Sequence, residues 1–189
     1  MVQYQSTRGY KEKLSFEDVI LSGLAPDKGL YLPDSLTFEN LNHLTEEDLS
    51  YEDFVKTIFI ALDKNSAKYV DDLSLYSGFE TSPEPLLKDL NDTTVVMELF
   101  HGPTKSFKDY ALQPLGAIAD KRLSELGERG LVLVATSGDT GSAAIQAVKD
   151  SENIDIVVLH PANKISEYQR KQMTSVIKGN VFNLSLIHI

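Results

Sequence analysis

Two lysines, Lys105 and Lys108, stand just beyond a Gly102-Pro103 break in the run ELFHGPTKSFKDYALQ, Glu98 to Gln113. Lysine is the side chain that offers a primary amine for Schiff-base chemistry, and removal from water readily brings such an amine into a reactive range. A lysine at the start of a helix is most often merely solvated. The case for chemistry here rests on a second run, TSGDTGSAA, Thr136 to Ala144. Two glycines let the backbone approach a ligand closely, hydroxyls flank them, and the loop leads straight into a helix. The free N–H groups and positive dipole end of that helix suit a carboxylate or phosphate. The turn could equally be a strand-to-helix connection capped by Ser137 or Asp139. It has neither the dinucleotide-binding nor the P-loop glycine spacing.

The elements that must position these residues fall into two regions. Up to about residue 90 the sequence predicts small helices. Ser15 caps Phe16 to Leu21, and Gly23 ends that helix ahead of the turn Ala25 to Gly29. Ser50 caps a second helix to Asp63, with Phe54, Ile58, Ile60 and Leu62 as its apolar contacts. Pro83 and Pro85 break regular structure, which places a domain junction near them.

Beyond that point strands and helices alternate, the pattern of a parallel α/β layer. The predicted elements are a strand at Val95 to Phe100, then a helix from Phe107 to Leu126, bent near Pro114. A strand at Leu131 to Ala135 follows, its unbroken apolar run predicting burial on both faces. Then come helix Gly141 to Asp150, strand Ile154 to Leu159, helix Ser166 to Ile177 and strand Val181 to Leu184.

Composition narrows the function. A net charge of −10 over 189 residues argues against nucleic acid and anionic membrane surfaces as partners. The absence of cysteine excludes disulfides, thiolate metal sites and thiol nucleophiles. The four histidines, at 43, 101, 160 and 188, have no metal-ligand spacing; His101, beside Gly102, is the one in an interesting place. With no apolar leader or membrane-length run, a cytoplasmic protein acting on small molecules is expected.

A helix-start lysine paired with an anion-friendly glycine turn resembles the pyridoxal-phosphate enzymes of fold type II, the tryptophan-synthase-like group. Within it, HGPTKSFKD, VATSGDTGSAA, LHPANKISEYQRKQMT, STRG and GLAPDKGLYLP are similar to the threonine synthases, collinear from Tyr4 to Leu184. The resemblance implies an α/β fold: a helical N-terminal region, residues 1–88, then part of a parallel-sheet domain of the tryptophan-synthase β type, residues 89–184. It implies that Lys108 forms the Schiff base with pyridoxal 5'-phosphate. Ser137, Gly138, Asp139, Thr140 and Gly141 would hold cofactor and substrate, and no metal is implied. The implied activity is that of a carbon–oxygen lyase acting on phosphate. O-phospho-L-homoserine and water become L-threonine and phosphate, with Lys108 shuttling the Cα and Cβ protons. Lys105 then reads as a solvated neighbour, Asp109 as a local cap or ion-pair partner, and Lys164 to Arg170 as a basic, substrate-proximal segment.

The end of the chain departs from the family pattern. Ser185 to Ile189 reads as a truncation scar, and the larger second half, with its loop for the cofactor phosphate, is expected to lie elsewhere. The 189 residues alone are therefore expected to bind the cofactor weakly and to be inactive. Two other readings stand beside this one. Another fold type II enzyme, such as threonine dehydratase or cysteine synthase, would share the lysine but usually carries an asparagine in the glycine turn. A threonine-synthase-like protein could also bind its ligand without turning it over.

Overall fold

Ser15, Ser50 and Ser166 each precede an acidic first turn, and each opens a helix. Their hydroxyls accept the N–H groups of Asp18, Asp53 and Gln169 at 3.2 Å, which satisfies one exposed donor per helix and contributes about 1 kcal/mol each. The computed structural model describes residues 2–35, 49–71, 76, 78–80 and 82–187. His43 and His188 lie outside them. The chain forms two compact units, Met1–Leu73 and Ser74–Ile189.

In the first unit β1 (Tyr4–Ser6) pairs antiparallel with β2 (Tyr31–Pro33). The helices are α1 (Phe16–Ser22), α2 (Tyr51–Leu62) and α3 (Ala67–Val70), with a 3-10 turn at Lys64–Ser66. Tyr4, Phe16, Tyr69 and Val70 form the buried centre, the Phe16 ring 6.2 Å from Tyr4 and 6.1 Å from Tyr69. Burial, followed by the nearby Asp63 and Glu17 carboxylates, pushes the Tyr4 hydroxyl up to about 12. Helix α2 is less buried than its apolar residues predict. Ile58 and Leu62 are half-buried one turn apart, whereas Phe54 and Ile60 are exposed.

Asp27 ties the two motifs of this unit together. Its carboxylate accepts the Ser6 hydroxyl at 2.7 Å and the amides of Tyr10 and Gly29 at 2.9 and 3.0 Å. Gly29 must be glycine here, because a Cβ would lie 2.0 Å from the Ser6 Oγ.

The second unit begins with a hairpin, β3 (Leu86–Asn91) antiparallel to β4 (Thr94–Glu98). The sequence predicts the second of these strands but not the first, and places it in the parallel layer, whereas among the described residues it pairs in this separate two-stranded ribbon. The turn uses Asn91, whose side-chain oxygen accepts the Thr93 amide and hydroxyl at 3.0 Å. Helix α4 (Asp109–Leu126) follows, with Pro114 inside it, and Gly127 ends it in the left-handed conformation.

The parallel sheet contains β5 (Gly130–Ala135), β6 (Ile154–Pro161) and β7 (Val181–Leu186), side by side in chain order. Helices α5 (Asp139–Val148) and α6 (Glu167–Thr174) connect them; α5 has the predicted length but starts two residues earlier, and α6 is shorter than predicted. The core is Leu123, Ala144, Ile145 and Val148 against Ile154, Ile156, Val158 and Met173. Strand β5 corrects the expectation of burial on both faces. Val132 and Val134 pack on the core, whereas Leu131 and Leu133 are 65% and 64% exposed. The alternation arises because, among the described residues, helices cover one face of the sheet. Strand β7 extends past Leu184, since Ser185 and Leu186 stay in register with His160 and Pro161.

The Ser6 hydroxyl, then the Gly29 and Tyr10 amides, hold the Asp27 carboxyl below its ordinary value. The stability this contributes is fully present above the unfolded value of about 3.9 and is lost as pH falls through the lower folded value. An Asp27→Asn variant should lose that acid-dependent portion. Hydrogen exchange at the Tyr10 and Gly29 amides checks it; protection unchanged by the substitution would refute the role given to Asp27.

Candidate functional site

The lysine-bearing loop runs from β4 to α4 and is organised around one buried carboxylate. Asp109 has no exposed surface; its Oδ2 accepts the Thr104 amide at 2.9 Å and its Oδ1 the Thr104 hydroxyl at 2.8 Å. Burial pushes this carboxyl up, and the two Thr104 donors and Lys105 act in the opposite direction. The sequence reading of Asp109 as a local partner therefore fits its geometry. Gly102 makes room for it, since a Cβ there would lie 2.5 Å from Asp109 Oδ2.

The same turn places the two lysines differently. Lys105 adopts a left-handed backbone, φ 62°, its amide donating to the Gly102 carbonyl at 3.0 Å. A non-glycine residue held there carries local strain. Its ammonium pairs with Glu80. Lys108 is half-buried at the N-cap of α4, and its carbonyl accepts the Leu112 amide at 2.9 Å. Its Nζ lies 5.1 Å above the centroid of the exposed Phe107 ring. His101 is engaged elsewhere, 2.8 Å from Glu98 Oε2, while Lys88 holds the other oxygen at 2.7 Å. Lys88, then His101, keep the Glu98 carboxyl below the usual range.

The glycine turn follows β5 at the edge where the parallel strands end. The Thr136 amide donates to the Leu159 carbonyl at 2.9 Å, and its Oγ1 accepts the Gly138 amide at 3.2 Å. Neither Ser137 nor Asp139 caps α5; the N-cap is Gly138, with no side-chain cap. Ser137 is exposed and Thr140 half-buried. Asp139 accepts a hydrogen bond from Gln169 Nε2 at 2.9 Å. Gly141 faces inward, where a Cβ would lie 2.5 Å from the Met173 sulfur and 2.7 Å from Thr136 Cγ2. Its place is in helix packing, while Ser137, Gly138 and Thr140 form the turn's rim.

Helix α6 links the turn to the lysine loop. Gln172 Nε2 donates to the Thr104 carbonyl at 2.9 Å, across 68 residues of sequence. Gln169, Gln172 and Met173 have the i, i+3, i+4 spacing of one helix face. Sequence reasoning singled out the charged start of this segment and missed the glutamines. Their signal was that spacing beside a buried methionine. The basic character expected of Lys164 to Arg170 is muted, because Arg170 is paired with Glu167 at 2.8 and 2.9 Å. Among the described residues no cluster of His, Asp or Glu could hold a metal, and no helix is long and apolar enough to cross a membrane.

Residues 3–70 match the family model for the threonine synthase N terminus. The chain is 41% identical to a threonine synthase of Pseudomonas aeruginosa, the match covering 98% of this chain and 40% of that protein. Over nearly its whole length the chain is similar to threonine synthases. Threonine synthase-like 2 of Mus musculus is 39% identical over 94% of this chain and 38% of its own. The structure of a pyridoxal-phosphate-bound threonine synthase from Brucella melitensis superposes with a TM-score of 0.88 at 36% identity, covering 98% of this chain and 41% of that one. The chain thus spans about two fifths of the length of the proteins it matches. The α/β class with its parallel sheet accords with those structures.

Asp109→Ala would leave the Thr104 amide without its buried acceptor, at a cost of about 1–3 kcal/mol. Denaturant unfolding should report that loss. A change below about 0.5 kcal/mol would mean that the carboxylate does not hold the loop.

Proposed function

We propose that these residues belong to a threonine synthase, a pyridoxal-phosphate-dependent enzyme that converts O-phospho-L-homoserine and water to L-threonine and phosphate. The observation that carries the reading is the half-buried residue Lys108 at the start of α4, in a loop that α6 ties to the glycine turn. The donor set suits the cofactor. Lysine supplies the amine that an aldehyde requires, and a helix start without a side-chain cap leaves N–H groups for an anion. When bound, pyridoxal phosphate supplies an electron sink for negative charge at the substrate Cα.

The chain's own residues take the remaining roles. Lys108 Nζ attaches the cofactor and carries the substrate's Cα and Cβ protons. The rim of the turn, Ser137, Gly138 and Thr140, binds the carboxylate or phosphate, and Asp139 and Gly141 keep the turn in place. Loss of the Cα and Cβ protons lets the phosphate leave Cγ; Cγ then takes up a proton, the hydroxyl of water adds at Cβ with release of its proton, and Cα is reprotonated. A small-molecule substrate, a cytoplasmic location and no nucleic-acid partner accompany this reading, in keeping with the net charge of −10.

Borohydride reduction with pyridoxal phosphate, followed by peptide mapping, should place the label on Lys108. Lys108→Ala should abolish that label and, in a complete threonine synthase carrying these residues, reduce phosphate release by about 10²–10⁴-fold or more. Label concentrated on another lysine would remove the basis of the assignment.

A further inference from the structure

The two loops of the site are held by one face of a single short helix. On α6, Gln169 Nε2 donates to Asp139 Oδ1 and Gln172 Nε2 to the Thr104 carbonyl, each at 2.9 Å. Both glutamines are half-buried, whereas Glu167, Arg170 and Lys171 are exposed and pair with one another. We infer that Gln169 and Gln172 are positioning residues that together set the separation between the glycine turn and the lysine loop. The inference rests on the reading of Lys108 and the turn as one site.

Further contacts make this pair a fixed gauge. Met173, fully buried, seats α6 against the core, and its carbonyl accepts the Asn183 side-chain amide at 3.2 Å. The absence of a side chain at Gly141 lets Met173 approach α5 this closely. Gln169 is also oriented by the helix cap. Its amide N–H reaches the Ser166 hydroxyl at 3.2 Å, and that hydroxyl donates to Gln169 Oε1 at 3.0 Å. The side-chain oxygen is therefore directed to Ser166 and the NH₂ to Asp139. The reverse orientation would set two oxygens against each other.

At the lysine loop, Thr104 is gripped from two directions. Its N–H and hydroxyl go to Asp109, next to Lys108, and its carbonyl goes to Gln172. A movement of α6 therefore reaches the residue adjoining the amine through two hydrogen-bonded links. Neither glutamine needs to touch substrate for the pair to decide where Lys108 sits relative to an anion on the turn.

The test is local hydrogen exchange in the full chain, with Gln172→Leu, Gln169→Leu and the exposed Lys171→Ala as a control. Gln172→Leu should speed exchange of the Thr104 and Lys105 amides about five-fold, the equivalent of one ordinary hydrogen bond, and leave Gly138 and Gly141 unchanged. Gln169→Leu should do the reverse, and Lys171→Ala should affect neither pair. If either leucine variant changes both loops alike, or neither, the glutamines are ordinary helix residues and the inference fails. Should a leucine variant unfold, Gln→Glu at the same position keeps the length, removes the donor and is read in the same way. In a second measurement, borohydride trapping with pyridoxal phosphate, Gln172→Leu should lower the share of label on Lys108 at least two-fold; an unchanged share would count against the inference. Wild-type label elsewhere would defeat the assignment of Lys108, while the exchange data would still report on the strap.

Discussion

A carboxylate removed from water must be supplied with donors, and at Asp109 that requirement shapes the whole turn around Lys108. Thr104 has to bring both its amide and its hydroxyl to the two oxygens. Gly102 has to lack a side chain, and Lys105 has to accept a left-handed backbone so that the chain can double back in time. Lys108 is then delivered at the N-cap of α4, in a position that follows from its neighbours' needs. Burial of an acid is costly unless it is well partnered, so a loop built this way has few alternative conformations of similar energy.

The glycine turn is organised by packing instead. Gly141 permits Met173 to lie against α5, and Met173 in turn anchors the helix whose glutamines reach outward to both loops. One part of the site is thus specified by polar satisfaction and the other by close contact. The α6 face is where the two meet.

Much of this was legible in the sequence, and what was not has physical reasons. The caps at Ser15 and Ser50 were readable because their chemistry is confined to four consecutive residues. The lysine and the glycine turn were readable as motifs. Strand β3 was hidden by Pro83 and Pro85 just before it, which argued for irregular chain. The burial of β5 was misjudged because an apolar run records what a strand can tolerate, and its neighbours decide which face is covered. The spacing of Gln169, Gln172 and Met173 marks one helix face, but the partners of the glutamines were out of reach. Gln172 finds Thr104 across 68 residues, and no local pattern encodes a contact of that span.

The sheet's strand order has a consequence for how this chain is made. Because β5, β6 and β7 lie side by side in the order in which they are synthesised, each new strand meets its partner already in place, with the intervening helix just completed. None of these three strands has to wait for another of the three to be made out of turn, so the scaffold beneath the turn can assemble stepwise during translation. The lysine loop emerges earlier than all of them. Its tether to Gln172 closes only after α6 has appeared, which makes the arrangement of the amine one of the last events in the maturation of this unit.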